Sequence, residues 1–379
     1  MKSLYLFTTD LRLEDNETLN LAISNGPIIF GVLKKDVSHW GVSKRNFYFE
    51  TLNQLRNDLA KFGQKLYLIE DINEFGKIYL AKQYNHRLAG LWERYDGQVI
   101  EKQEQTLFNL SELGFELTDL PRTFTPFRNK MDKLIPEIDL SSISHEIVEE
   151  SCQQEEYIGG EVFSEEKFQG GEGAGLKRLK EYFSRPELAK SYFETRNGMI
   201  KFDDSTKFSP WLALGSIHPK RIYSELKKFE SEHGSNKSTY WIYFELLWRD
   251  YFKFLSLSNF KITKKQGEYS PELFSKWADA RTDEDFVNAN MVELNSSGWM
   301  SNRGRQNVAS YFCKHLDLPW EFGAKYFEQH LIDFDYESNW GNWTYLAGVG
   351  VDPRDRKFNI KKQADDYDPT GEYRRKFLC

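Results

Sequence analysis

Cysteine is scarce in this chain. The three residues, Cys152, Cys313 and Cys379, are far apart and odd in number, so neither a disulfide framework nor an iron–sulfur cluster is expected. The seven histidines form no His-Glu-x-x-His or other clustered ligand pattern, and no metal is expected. No run approaches the roughly 20 apolar residues that span a bilayer. The chain starts on a strand-like Leu4-Tyr-Leu-Phe7 without signal or transit composition, so a cytoplasmic protein with no membrane contact is expected. Net positive charge is missing as well. The formal value of −7 excludes a uniformly basic nucleic-acid binder but leaves room for a local basic face. A Gly-x-Gly-x-x-Gly fingerprint is absent after the first strand, which excludes an ordinary dinucleotide-binding domain.

What the chain does have is length, an apolar core and aromatics. Its 379 residues, 40% of them hydrophobic, suit two globular domains rather than a disordered chain. Strand candidates are Leu4–Phe7, Ile28–Leu33, Leu66–Ile69, Leu88–Trp92 and Phe115–Leu117. Between them, Phe49, Leu52, Leu55, Leu59 and Phe62 recur at helical spacing over Asn46–Phe62, with Gly63 as a C-cap. That alternation predicts βαβ units and a parallel sheet. From about Pro121 the pattern degrades, and Ser141–Ser144 with the acidic run Glu149–Glu156 reads as an exposed connector. From Gly170 onward the pattern is helical. The expected fold class is α/β plus all-α: an α/β domain over 1–120, a linker over 121–170 and an all-helical domain over 171–379.

Eight of the ten tryptophans lie between Trp211 and Trp343. A large helical core explains any one of them. Three stretches ask for more: Glu245-Leu-Leu-Trp-Arg249, Gly298-Trp-Met-Ser-Asn-Arg-Gly-Arg305 and Ser338-Asn-Trp-Gly-Asn-Trp343. Each sets charged or amide groups among large aromatics in segments that otherwise read as buried helix, where an unpaired charge is costly. In this order they resemble the flavin domain of the DNA photolyase/cryptochrome family. Ser301–Ser310 and Ser338–Trp343 are closest in wording to its cryptochrome-DASH branch. The match runs from Asp10-Leu-Arg12 to Gly371-Glu-Tyr373.

The resemblance implies a helical domain that binds FAD, and it assigns residues. Ser205, Thr206, Lys207, Phe208 and Ser209 precede a proline at a helix start, a pattern that suits either an N-cap or a phosphate site. In the family this segment holds the FAD diphosphate, with Tyr192 at another phosphate-side contact. Asn302, Arg305, Asp333, Asp335 and Asn339 read on their own as a structural ion-pair cluster. In the family they surround the flavin ring, with Arg305 paired to Asp333, Asp335 accepting from the ring's polar edge and Asn339 facing N5. Trp241 and Arg249 belong to the same cofactor set.

Glu245 shares a helix face with Trp241, Trp248 and Arg249, and a Glu245–Arg249 pair would contribute about 0.2–0.5 kcal/mol. The family instead uses this Glu to hydrogen-bond a cyclobutane pyrimidine dimer, with Trp248, Trp299, Gln306 and Tyr345 around the bases. Arg196 and Arg356 match DNA-side arginines within a C-terminal half that mixes basic and acidic residues. Trp343 and Trp320 match an electron relay whose third, surface Trp is missing from the shortened Ser258–Tyr269 segment; Tyr269 is the nearest substitute. Thr282–Asn288 lacks the glycine, proline and final Asp of the family's turn. The resemblance also admits a folate antenna, 5,10-methenyltetrahydrofolate, with Glu93 as a contact.

The expected function is therefore flavin-dependent, blue-light-driven repair of cyclobutane pyrimidine dimers, preferentially in single-stranded or looped DNA, by a monomer. The alternative is a blue-light photoreceptor using the same FAD, against which the short stretch after Tyr373 argues.

Overall fold

The computed structural model describes residues 2–85, 88–143, 146–148, 150–162, 168–258, 267–350 and 357–379. Six strands form one sheet: β1 (Lys2–Phe7), β2 (Ile29–Leu33), β3 (Leu66–Ile69), β4 (Phe75–Ala81), β5 (Gln98–Lys102) and β6 (Glu155–Glu156), in the order β5-β4-β1-β2-β3-β6. All neighbours run parallel except the antiparallel edge pair β3–β6. Beyond β6 the described residues are helical, from Glu172–Phe183 to Glu372–Leu378, with no further strand. This is the α/β plus all-α architecture that the sequence predicts.

The middle of the apolar stripe of the first long helix behaves as its spacing requires, with Leu52, Leu55 and Leu59 buried, whereas Phe49 is half-buried and Phe62 lies beyond the helix end and is exposed. The helix spans Val42–Ala60, starting four residues before the predicted Asn46. Gly63, at φ +71°, donates to Ala60 O and turns the chain.

Two strand assignments fail. Leu88–Trp92 contains a short helix, Ala89–Trp92, and Phe115–Leu117 leads into a 3-10 turn at Leu117–Asp119. Brief apolar runs do not distinguish a buried helical turn from a strand; Leu91 and Trp92 pack on the Ile69–Phe75–Ile78 cluster from outside the sheet. The strands that replace them are β4 and β5. β5 is an edge strand with exposed Gln98, Val99 and Glu101, so it carries no alternating apolar signal.

The acidic connector also does more than link. Glu155 and Glu156 form β6, and their carboxylates pair with Lys34 and Lys65 at 2.8 Å. Ile147 and Tyr157 complete the core beneath β1 and β2.

The helix Val42–Ala60 and the loop after β5 share a core with the later helices, in which Phe47, Leu107 and Phe108 meet Trp211, Leu247 and Tyr251. Polar clamps set their mutual position. Asp250 accepts from Leu107 N at 3.0 Å and Phe108 N at 2.9 Å. Glu172 accepts from Leu13 N at 2.9 Å and Glu14 N at 3.0 Å. Gly215, at φ +68°, closes the helix Ser209–Leu214 against the first strand's exit loop; a Cβ there would lie 1.9 Å from Thr9 O, so only glycine lets the backbones meet.

Candidate functional site

Helices Pro186–Thr195, Lys237–Leu257, Asn302–Lys314 and Tyr336–Ala347, with the loop leading into Ser209, enclose a cavity of about 290 Å³. Ser205, Thr206, Lys207, Phe208 and Ser209 line one end, together with Tyr192. Lys207 sits in left-handed backbone (φ +59°), bonds Ser205 Oγ at 2.9 Å and lies 3.9 Å from the centre of the Trp299 ring. Arg178 holds this loop from behind through Thr206 O (2.9 Å) and Ser205 O (3.3 Å). Ser209 Oγ is committed elsewhere, to Asp333 Oδ2 at 2.7 Å.

At the other end Asn302, Arg305, Asp333 and Asp335 close the cavity and open into a smaller one of about 90 Å³ that also reaches Asn339, Gln306 and Trp343. Arg305 Nη2 bonds both oxygens of Asp333 at 2.9 and 2.8 Å, and its Nε donates to Met300 O. Asp335 caps the helix it starts by accepting from Ser338 N. Burial works to raise its pKa, but Lys253 at 2.9 Å and Arg249 at 3.5 Å hold its carboxyl well below the usual range. Asn339 is buried and donates through Nδ2 to Ala324 O.

A third cavity, about 220 Å³, abuts the first and shares Arg196, Glu245, Trp248, Phe252, Asn302 and Asn342 with it. Tyr345 and Gln306 complete its wall. Trp248 stacks on Phe124 at 3.7 Å, which fixes the indole plane. Glu245 pairs with Arg196 at 2.8 Å, not with Arg249 one turn away, because Arg249 is drawn to Leu212 O and Gln105 O. Burial pushes the Glu245 carboxyl up and the Arg196 charge partly offsets that.

The structure thus gathers nearly every residue singled out from the sequence, with some differences. Trp241 stays out of the three cavity walls and serves as a platform, stacked on Phe244 with Arg196 over its ring. Trp299 lines the large cavity rather than the outer one. Arg196 turns onto Glu245. Glu93 is exposed and away from another cavity between sheet and helices, about 320 Å³ and lined by Thr8, Trp40, Lys44, Tyr48 and Tyr336. Arg356, and residues 259–266 of the shortened segment, lie outside the described residues. Asn288 closes the atypical 282–288 turn itself, exchanging hydrogen bonds with Thr282 N, Oγ1 and O at 2.7–2.9 Å. Contributors that the sequence did not single out include Arg178, Lys253, Phe252 and Asn342. Lys253 was within reach, since it follows Arg249 by four positions on one helix face.

The comparisons agree with this geometry. Residues 241–379 match the family model described as the FAD binding domain of DNA photolyase, and residues 3–78 match that of DNA photolyase. The chain is 41% identical to the cryptochrome DASH of Idiomarina loihiensis, over 98% of this chain and 91% of that protein. It is 39% identical to that of a Synechocystis species, over 98% and 86%. The chain belongs to the photolyase/cryptochrome family, in its cryptochrome-DASH branch. The crystal structure of a Synechocystis cryptochrome superposes with a TM-score of 0.87 at 35% identity, covering 100% of this chain and 88% of that one. A class III photolyase from Agrobacterium tumefaciens shares the fold, with a TM-score of 0.84 at 24% identity over 100% and 86%.

As a photolyase-family flavoprotein the chain must accommodate FAD, and its residues fit that group. Arg249 Nε and Trp299 Nε1 are buried polar atoms of the large cavity's lining residues and find no partner among the described residues. Cationic Lys207, Arg249 and Arg305 suit the diphosphate and the polar edge of the flavin. No helix of the described residues is long and apolar enough to cross a membrane.

Proposed function

We propose that the chain is a light-driven DNA repair enzyme that splits cyclobutane pyrimidine dimers, preferentially in single-stranded or looped DNA. The observation that carries this reading is the outer cavity, which abuts the large one and has Glu245 on the shared wall. When bound, FAD supplies light absorption and the transferred electron.

The chain's own residues do the rest. Ser205, Thr206, Lys207 and Tyr192 hold the diphosphate side. Arg305, Asp335 and Asn339 orient the ring. The raised Glu245 carboxyl keeps a proton to higher pH than an ordinary carboxylate and can donate it to a dimer carbonyl as charge develops there. Trp248, pinned by Phe124, offers a flat face to a flipped base, and a damaged pair is already cheap to unstack. Tyr345 and Gln306 make the rest of the wall smaller and more polar than two tryptophans would, which suits a strand without a partner. The protein acts as a cytoplasmic monomer in this reading. The 320 Å³ cavity is the place for an antenna chromophore such as a folate, with Trp40, Tyr48 and Tyr336 available to stack.

The test is loss of thymine dimers under blue light in single- and double-stranded oligonucleotides, using FAD-loaded protein. Faster loss from the single strand is expected. Intact dimers in both substrates would leave the photoreceptor reading in its place.

A further inference from the structure

The wall between the large cavity and the one beside the sheet is built from charged side chains. Asp335 lines both cavities. Its Oδ1 accepts from Ser338 N at 3.0 Å, while its Oδ2 lies 2.9 Å from Lys253 Nζ and 3.5 Å from Arg249 Nη2. Lys253 is 1% exposed and does not belong to Asp335 alone. Its ammonium has three acceptors: Asp335 Oδ2, Glu337 Oε2 at 2.9 Å and Gln105 Oε1 at 3.0 Å. Glu337 is 3% exposed, lines the cavity beside the sheet and accepts a second bond through Oε1 from Asn85 Nδ2 at 2.6 Å. Asp250, bonded to Leu107 N and Phe108 N, feels both cations as well. A glutamate in the first turn of helix Tyr336–Ala347 suits the positive end of the helix dipole. That accounts for a solvated side chain, not for a buried one that shares an ammonium already paired with Asp335, because each buried charge is costly to desolvate.

We propose that Glu337 is a positioning residue for the flavin, which acts through Lys253 to set the charge around Asp335 and hence the flavin's reduction potential. This rests on FAD occupying the large cavity, as read above. With Glu337 ionised, Lys253 is divided between two carboxylates and adds little net charge at the Asp335 end of the cavity. With Glu337 neutral, one more positive charge goes uncompensated there, and the low-dielectric surroundings carry its field across the wall. Reduced flavin holds more negative charge than oxidised flavin, so it gains more from that field. Glu337 therefore keeps the potential low and makes the reduced flavin a stronger electron donor. It does so from the far side of the wall, as a lining residue of the cavity beside the sheet and of none of the three cavities of the flavin and outer sites.

The experiment is a potentiometric titration of the full FAD-loaded chain with dithionite and redox mediators. It is run in the dark at about pH 9, above the value of about 7 to which burial raises Asp250, so that this carboxyl stays charged. FAD released on denaturation is measured separately. Glu337→Gln should raise the ratio of reduced to oxidised flavin at a fixed poise about tenfold, an upward shift of about 30 mV for a two-electron couple, with FAD content unchanged. Glu337→Asp keeps the charge and should leave that ratio within about twofold of the wild type. Lys253→Met combined with Glu337→Leu removes one charge of each sign and should also return the ratio to within about twofold. A purely structural role predicts the reverse order, since the double variant disturbs the packing more than the single one. An unchanged potential in FAD-loaded Glu337→Gln, or a double variant shifted as far as the single one, overturns the proposal while the flavin reading stands. Wild-type protein that releases no FAD overturns both.

Discussion

Arg305 and Asp333 show how much of the site depends on single contacts. Asp333 is nearly inaccessible, with 2% of its side chain exposed, while Arg305 keeps 24%. Removing one partner of a buried pair costs about 3–5 kcal/mol, and the partial exposure of Arg305 places this one at the low end. Arg305→Ala should therefore lose FAD on gel filtration, read as a fall in flavin absorbance per chain, with a lowered melting temperature. Glu245 makes a prediction about pH. Its carboxyl is raised by burial, so the neutral, hydrogen-bond-donating form persists above the ordinary range and disappears as pH rises through the raised value. Repair yield in chemically pre-reduced protein should fall along that rise, and Glu245→Gln, an amide donor at every pH, should flatten the profile. A sloping profile in the amide variant would remove Glu245 as the titrating group.

At the scale of elements, helix Trp320–His330 makes room for Trp343 through a gap at Gly323. A Cβ on Gly323 would lie 2.2 Å from Trp343 Cη2. Two effects oppose each other in Gly323→Ala. Alanine favours a helix interior over glycine by about 1 kcal/mol, and overpacking a tight core costs about 1–3 kcal/mol. A contact this short puts the cost at the upper end, so the variant should melt lower and photoreduce more slowly because Trp343 is displaced. A higher melting temperature would mean that the indole yields freely.

Legibility from sequence also varied by element. The helix Val42–Ala60 declared itself because burial on one side imposes a 3.6-residue rhythm. Edge strand β5 did not, because most of its side chains face water and its pairing to β4 is made by backbone atoms. The 282–288 turn looked defective by composition, yet the Asn288 side chain accepts from and donates to Thr282 at the opposite end of the turn, and only the closed geometry reveals that substitution.

At the scale of the molecule, the sheet and the helices are held in register by buried carboxylates that accept backbone N–H groups. Glu172 and Asp250 are both pushed up to about 7 by burial. For Glu172 the rise starts from 4.5, and the N–H groups of Leu13 and Glu14 limit it. A carboxyl whose folded pKa lies above its unfolded value contributes most below the unfolded pKa, and that contribution is lost as pH rises through the folded one. The advantage of the wild type over Glu172→Gln in thermal melts should therefore shrink between about pH 4.5 and 7, by up to ~3 kcal/mol. A constant difference across that window would mean that Glu172 stays charged throughout.

The sequence by itself determined the order of the architecture. Alternating short apolar runs require a parallel sheet, later helical periodicity requires helices, and charged groups set among aromatics mark positions that packing alone would fill with apolar residues. Tertiary structure alone decided which group meets which. Glu245 pairs with Arg196, 49 positions earlier, and not with Arg249 on the adjoining turn. Ser209 turns to Asp333, and Trp343 finds Trp277. The reason is one of range. Hydrogen bonds and ring contacts are decided over a few ångströms, and helix Pro186–Thr195 docks across Lys237–Leu257 closely enough for a distant partner to displace a local one. Periodicity in a sequence reports which face an element buries. It carries no record of the neighbour that covers it.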